Sequence, residues 1–304
     1  MKIGVQIFCN YLKTLDSGFR RNDGCHYLAS SAKIMENIEP DLAVCLIHNP
    51  AQPEALFPFL DALLAQANPV ALEIIVVAGQ PEHPALARLE RAFPEITILE
   101  NSGGDQPAKA RNHACRLAAA RYLSFWDENL RPQPGCLATL VRFLDETPDA
   151  GLAAPRIVDL QGMVQPSVRS APTLATILCQ HTPLGRLLPA APLILKAHLL
   201  TEQDHLRSFE AQWLLDTCLV IRQAVAEEIG LLDEGFAAHY ADADYCLRAH
   251  QAGWHLHYLA EAVAIQSAAE SFPPQPAAGN TPRLVGDCTR LLLKKWLRPA
   301  QIPG

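Results

Sequence analysis

The sequence predicts an α/β domain with a mostly parallel central sheet and helices on both faces. Three observations lead there. Short, continuous apolar runs recur along the chain, as they do in strands buried on both faces. Stretches of helical period alternate with those runs. The links between them are short, so successive strands fall side by side in one layered sheet.

The elements follow in order. Leu42 to Ile47 is an unbroken apolar run and reads as the first strand. Pro53 to Gln66 reads as a helix, with Leu56, Phe57, Leu60, Leu63 and Leu64 on one side. Glu73 to Val77 is a second buried strand, Pro84 to Phe93 a helix and Ile96 to Leu99 a third strand. A helix from Ala108 to Ala120 leads to a fourth strand, Tyr122 to Trp126. Pro134-Gly135 opens a helix that ends near Glu146, and Gly151 to Ile157 enters another strand before a turn at Asp159 to Gly162. Residues 170–208 are apolar and broken by Pro172, Pro183, Pro189 and Pro192, and no element is assigned there. Gln212 to Ile221 reads as a strand, Arg222 to Ile229 and Asp242 to Gly253 as helices, and His255 to Ile265 as one or two strands.

Two flanks differ from this domain, which spans 41–271. Residues 1–40 lack periodicity, and Leu15 to Gly24 is dense in turn formers. That segment resembles the translation of a common bacterial intergenic repeat. It is expected to be either a poorly ordered extension from a start assigned too early or an authentic mobile arm. Residues 272–304 combine a Pro- and Ala-rich linker with a basic amphipathic helix from Pro282 to Arg298. Arg283, Arg290, Lys294, Lys295 and Arg298 oppose the single Asp287 in it. Such a helix suits either an anionic membrane surface or packing back on the domain.

Composition narrows the function classes. The chain carries 25 Lys and Arg against 32 Asp and Glu, a net charge of −7, so nucleic acid is not the expected partner. The nine cysteines include no C-x-x-C pair and mostly lie in apolar runs, which points to free thiols in a reducing cytoplasm. No run reaches the roughly 18 apolar residues of a membrane span. The apolar start, Met1 to Phe8, gives way to charge too soon for a signal peptide. No G-x-G-x-x-G follows the first strand, which removes the simplest case for a dinucleotide oxidoreductase.

In an open parallel sheet, ligands bind at the carboxyl ends of the strands. The residues there are Ile47-His48-Asn49-Pro50, Ala78-Gly79-Gln80, Ala108-Lys109-Ala110-Arg111-Asn112 and Asp127-Glu128-Asn129. Further on come Ile229 to Phe236, Asp242 to Arg248 and Gly253. In this order and spacing, the set resembles family-2 glycosyltransferases, particularly their rhamnosyltransferase-like branch. The resemblance implies the GT-A fold and transfer of a sugar from a nucleotide-sugar donor to a glycan or lipid-linked acceptor, with inversion. A catalytically silent domain that binds a partner is the rival reading.

The resemblance also implies roles. Asp242 matches the general base, which must take the proton of the acceptor hydroxyl. A capping role at the start of its helix is the alternative. Asp244 is expected to point elsewhere, as a charge near the helix N-terminus. Asp127 and Asn129 match the Asp-x-Asp motif that holds Mg²⁺ or Mn²⁺ and contacts the nucleotide. An amide at 129 implies weaker metal binding, unless Glu128 turns inward, and a polar strand-end turn that holds no metal is the alternative. Arg111 and Asn112 match an Ala-Arg-Asn segment on the donor side, where Arg111 would pair with phosphate or shape the nucleotide pocket; a solvated charge on the helix face is the alternative. His48 and Asn49 fall where the nucleotide would sit, with His48 either stacking on a base or serving as a polar strand-end residue. Other positions depart from the pattern: Ala78 and Ala241 replace acids, Gln266 replaces a histidine, and Asp216-Thr217 replace a Gly-Ala pair. His255 and His257 share a strand face, but no third metal ligand is evident, so a half-buried pair is expected.

Overall fold

The computed structural model describes residues 40–48, 55–67, 69–78, 84–101, 106–182, 187–200, 202–267 and 281–297. The N-terminal segment, Asn49, Gly79 to Glu82 and the linker of 272–280 lie outside the described residues.

The main sheet is built on β1 (Leu42–His48), flanked in parallel by β2 (Leu72–Ala78) and β4 (Tyr122–Trp126). β3 (Thr97–Glu100) extends it beyond β2. On the other side, β10 (Cys218–Arg222) runs antiparallel between β4 and β6 (Ala150–Val158). β11 (His255–Gln266) is parallel to β6, and the short strands β5 (Leu130–Pro132) and β8 (Phe209–Glu210) pair antiparallel to it. Six strands therefore point the same way, with β10 reversed among them. β7 (Val168–Arg169) and β9 (Trp213–Leu214) form a separate two-stranded ribbon.

Helices cover both faces. On one lie α1 (Leu56–Leu64), α2 (Pro84–Ala92) and α4 (Cys136–Glu146). On the other lie α3 (Pro107–Leu117), α7 (Gln223–Ile229), α8 (Ala241–Gln251) and α9 (Thr281–Leu297), with α5 (Leu174–His181) beside them. β1 shows why its run is unbroken: Leu42, Val44 and Leu46 feed one core while Ala43 and Cys45 feed the other. Each fully buried Leu or Phe in these cores contributes about 1.5–3 kcal/mol.

Most predicted elements stand within two or three residues of their expected bounds. The run 212–221 does not. It breaks at Leu215, Asp216 and Thr217, because its first part pairs with β7 and only Cys218 to Arg222 joins the main sheet. The Pro-interrupted stretch after 170 holds α5 and α6 (Ala191–His198). A capping box between Thr173 and Thr176 starts α5. The short β5 was not foreseen. The seven described cysteines are buried and free, and no helix among the described residues is long and apolar enough to cross a membrane.

Candidate active site

β10 runs against β4, so its first residue, Cys218, sits opposite Trp126 at the carboxyl edge of the sheet. That register delivers the turn at 215–217 to the place where ligands bind in such folds. Three predicted site residues meet around it. Arg111, on α3, donates from Nη1 to the Asp216 carboxylate and from Nη2 to the Asp216 carbonyl. The Asp127 amide donates to the Thr217 carbonyl at 2.8 Å. Asp242, in the first turn of α8, feels the charges of both Asp216 and Arg111.

Asp242 has an uncommon setting for a carboxylate. It is buried and accepts from the next amide, Ala243 N–H at 2.8 Å. Its carboxyl is raised to about 7, by burial first and then by the like charge of Asp216, against an opposing pull. The Trp213 indole, the Ala243 amide and Arg111 draw it part of the way back. Asp242 is not the N-cap residue, which is Tyr240 with no side-chain cap bond, although its carboxylate does accept from the first-turn amide of Ala243. Tyr240 takes φ +65°, a left-handed conformation that costs a bulky residue about 1–3 kcal/mol. Its hydroxyl lies 2.7 Å from His181 Nε2, and its ring packs 5.8 Å from that of Trp213. Asp244 points elsewhere, as expected: it is buried and accepts from Arg248 and from Lys294 of α9.

The donor side is different. His48 is buried at the end of β1, and its Nδ1 lies 3.2 Å from a Glu128 carboxylate oxygen. It is a polar core residue paired with an acid, not a ring free to stack on a base. Asn112 is also reassigned. Its amide donates to the Leu232 carbonyl at 2.8 Å and to Glu234 at 3.0 Å, and its oxygen accepts from Leu232 N–H at 3.1 Å. With both donors used, this buried side chain clamps α3 to the 231–234 loop and has nothing to offer a nucleotide. Asn49 lies outside the described residues.

Asp127 caps its own turn, accepting from the Asn129 amide at 2.9 Å. Glu128 faces His48, and Arg131 binds the Glu128 carbonyl at 2.6 Å. Among the described residues no three His, Cys, Asp or Glu side chains gather as a metal cage. A carboxylate and an amide oxygen still suit a hard cation that brings phosphate oxygens with it, since Mg²⁺ takes one or two carboxylates plus substrate phosphates. His255 and His257 are half-buried, and His255 pairs with Glu210 at 2.7 Å.

Some participants were missed by sequence reasoning. Asp216 stood out as a departure, but not as the partner of Arg111. Trp213, Tyr240 and His181 carried no local signal. The predicted C-terminal helix exists as α9 and packs back on the domain: Leu284, Cys288 and Leu291 join the core that holds α8.

A mostly parallel sheet with β10 reversed inside it, whose carboxyl edge carries Arg111, Asp127 and Asp242, has the architecture of a nucleotide-sugar transferase. Residues 45–229 match the family described as Glycosyl transferase family 2. That is more than half of the chain, which therefore belongs to this family. Two curated relatives, N-acetylglucosaminyl-diphospho-decaprenol L-rhamnosyltransferases of Mycobacterium tuberculosis strains CDC 1551 / Oshkosh and ATCC 25618 / H37Rv, are each 30% identical over 147 residues. These alignments cover 48% of this chain and 46% of each relative, so the chain spans about half the length of the curated relatives it matches. Among solved structures, S. aureus TarS 1-349 is similar with a TM-score of 0.55 and 13% identity, over 86% of this chain and 67% of that one. The mannosyltransferase PcManGT from Pyrobaculum calidifontis, in complex with GDP-Man and Mn²⁺, gives 0.54 and 15%, over 99% and 76%. GalNAc-T7 with UDP, GalNAc and Mn²⁺ gives 0.55 and 12%, over 76% and 44%. At these identities the likeness is one of fold.

Proposed function

We propose that the protein moves a hexosyl or rhamnosyl group from a nucleoside diphosphate donor to a glycan or lipid-linked acceptor, inverting the anomeric centre. The observation that carries this reading is Asp242, a buried carboxylate raised to about 7 at the carboxyl edge of a glycosyltransferase sheet. A base with that proton affinity is half ionised near neutrality, which suits removal of a proton from an acceptor hydroxyl. Asp242 takes that proton as the hydroxyl oxygen bonds to the anomeric carbon and the bond to the diphosphate breaks. Arg111 supports the donor while Asp216 fixes its guanidinium. Asp127 and Asn129 would hold a Mg²⁺ or Mn²⁺ ion. When bound, that ion would neutralise the charge gained by the leaving diphosphate. A lipid-linked acceptor, as in the names of the mycobacterial relatives, would place the work at the cytoplasmic face of a membrane.

A second reading has its own support: a silent domain that binds a glycan or a protein partner. Ala78, Asn129, Ala241 and Gln266 each lack a group the family uses, and Arg111 is already neutralised by Asp216. Calorimetric titration with UDP, GDP and dTDP, with and without Mn²⁺ or Mg²⁺, separates the two. Metal-dependent binding below millimolar concentration is expected of the transferase. No binding at millimolar nucleotide would leave the silent domain.

A further inference from the structure

α9 does more than cover the core. Asp287, in its middle, is buried, and both carboxylate oxygens face a loop of the domain. Three successive backbone N–H groups converge on it: Ala237 at 2.8 Å, Ala238 at 3.0 Å and His239 at 2.9 Å. Such a run of amides forms a concave anion site, here filled by a side chain of the same protein. The next residue is the left-handed Tyr240, whose hydroxyl environment includes Cys288. Two residues beyond it is Asp242. Farther along α9, Lys294 binds Asp244 at 2.7 Å and Asp233 at 2.6 Å, while Arg290 pairs with Asp233 at 2.9 Å. Through Lys294 the helix thus grips both ends of the short segment that carries Asp242, with or without the Arg290 pair.

We infer that Asp287 is a positioning residue for sugar transfer: by holding the amides of 237–239 it sets the strained backbone from which Asp242 enters the site. The inference rests on the reading of Asp242 as the base. A side chain held by a supporting shell can be within reach of its target or an ångström away, and that difference costs about 100-fold in rate.

The test uses the full-length chain and three variants. Asp287→Asn removes the charge, Asp287→Glu keeps it but shifts the oxygens, and Arg290→Ala weakens α9 without touching the 237–239 amides. Hydrogen exchange at 237–239, kcat, donor KM and the titration of Asp242 by ¹³C NMR are read on each. Both Asp287 variants are expected to speed exchange and to lower kcat about 10- to 100-fold at unchanged donor KM, with a shifted Asp242 titration. Arg290→Ala is expected to leave kcat and the titration in place. Faster exchange in the Asp287 variants with unaltered kcat and titration overturns the inference and makes the clamp purely structural. If the wild type transfers no sugar, the base reading fails on its own, and the titration alone then decides whether Asp287 positions Asp242. If Asp287→Asn does not fold, Asp287→Glu carries the same readouts.

Discussion

The two halves of the sheet's carboxyl edge treat their polar groups in opposite ways. On the side of β1 and α3, His48 is matched to Glu128, and Asn112 has both its donors and its oxygen bonded within the protein. On the side of β9 and α8, Asp242 is buried with a like charge, Asp216, nearby, and Tyr240 holds a strained backbone two residues before it. The first side is the more settled, with one of these buried groups, His48 Nε2, left without a partner among the described residues. The second is the unsettled side: the Asp242 carboxylate is buried beside a like charge, and Thr217 Oγ1 is buried without a partner among the described residues. Strain and perturbed ionisation gather at functional sites, so the contrast supports the proposal that the second side carries the chemistry.

Breaking the unsettled side should have the largest effect. Asp242→Asn is expected to lower kcat by about 10²- to 10⁴-fold, the usual worth of a general base, with nucleoside diphosphate affinity unchanged. Steady-state kinetics beside calorimetry checks both halves of that statement. On the settled side the loss should be one of stability. Asn112→Ala leaves the Leu232 amide and carbonyl unpaired in the interior and should cost about 2–3 kcal/mol in urea denaturation. If it instead abolished nucleotide binding in a folded protein, the assignment of Asn112 as a clamp would be wrong.

Two milder changes sharpen the contrast. Asp216→Asn removes the like charge that helps raise Asp242 and frees Arg111 to favour the ionised form. Because the base must be deprotonated to act, the acid limb of the rate profile should move to lower pH, by about one unit. An unmoved limb would detach Asp216 from Asp242. Gly235→Ala should do least. A Cβ there would run into the Arg290 guanidinium, but that is the tip of a flexible side chain. The guanidinium can swing aside, and thermal unfolding should register a loss of about 1 kcal/mol or less, from a partly exposed Arg290–Asp233 pair.

Much of the fold was legible because it is written locally. Strands buried on both faces give unbroken apolar runs, as Leu42 to Ile47 does. Helices give their period, as in the C-terminal α9. The site was legible only as a set of strand ends. Nothing near Arg111 in the sequence announces Asp216, and nothing near Asn112 announces Leu232 and Glu234, because those pairings exist only after the sheet assembles. The break at 215–217 was hidden for a related reason: Trp213-Leu214 and Cys218 to Arg222 are both strand-like, and only their partners, β7 and β4, differ. The left-handed Tyr240 carries no glycine or asparagine signature. Its side chain meets His181 of α5, Trp213 of β9 and Cys288 of α9, neighbours that are distant in the sequence.

The most direct measurement is the stability of wild type and Asp242→Asn compared from pH 4 to pH 8. In the folded protein the Asp242 carboxyl lies well above its ordinary value of 3.8, near 7. Between those values the folded state holds the proton that the unfolded state has released, so ionising Asp242 costs stability as pH rises. That cost is absent below the lower value and complete above the higher one. The amide variant never carries it. Its stability relative to wild type should therefore climb with pH, by at most about 4 kcal/mol, and level off above neutrality. A difference that stays flat from pH 4 to pH 8 would mean that Asp242 ionises like any surface carboxylate and that the two sides of the site do not differ in the way described.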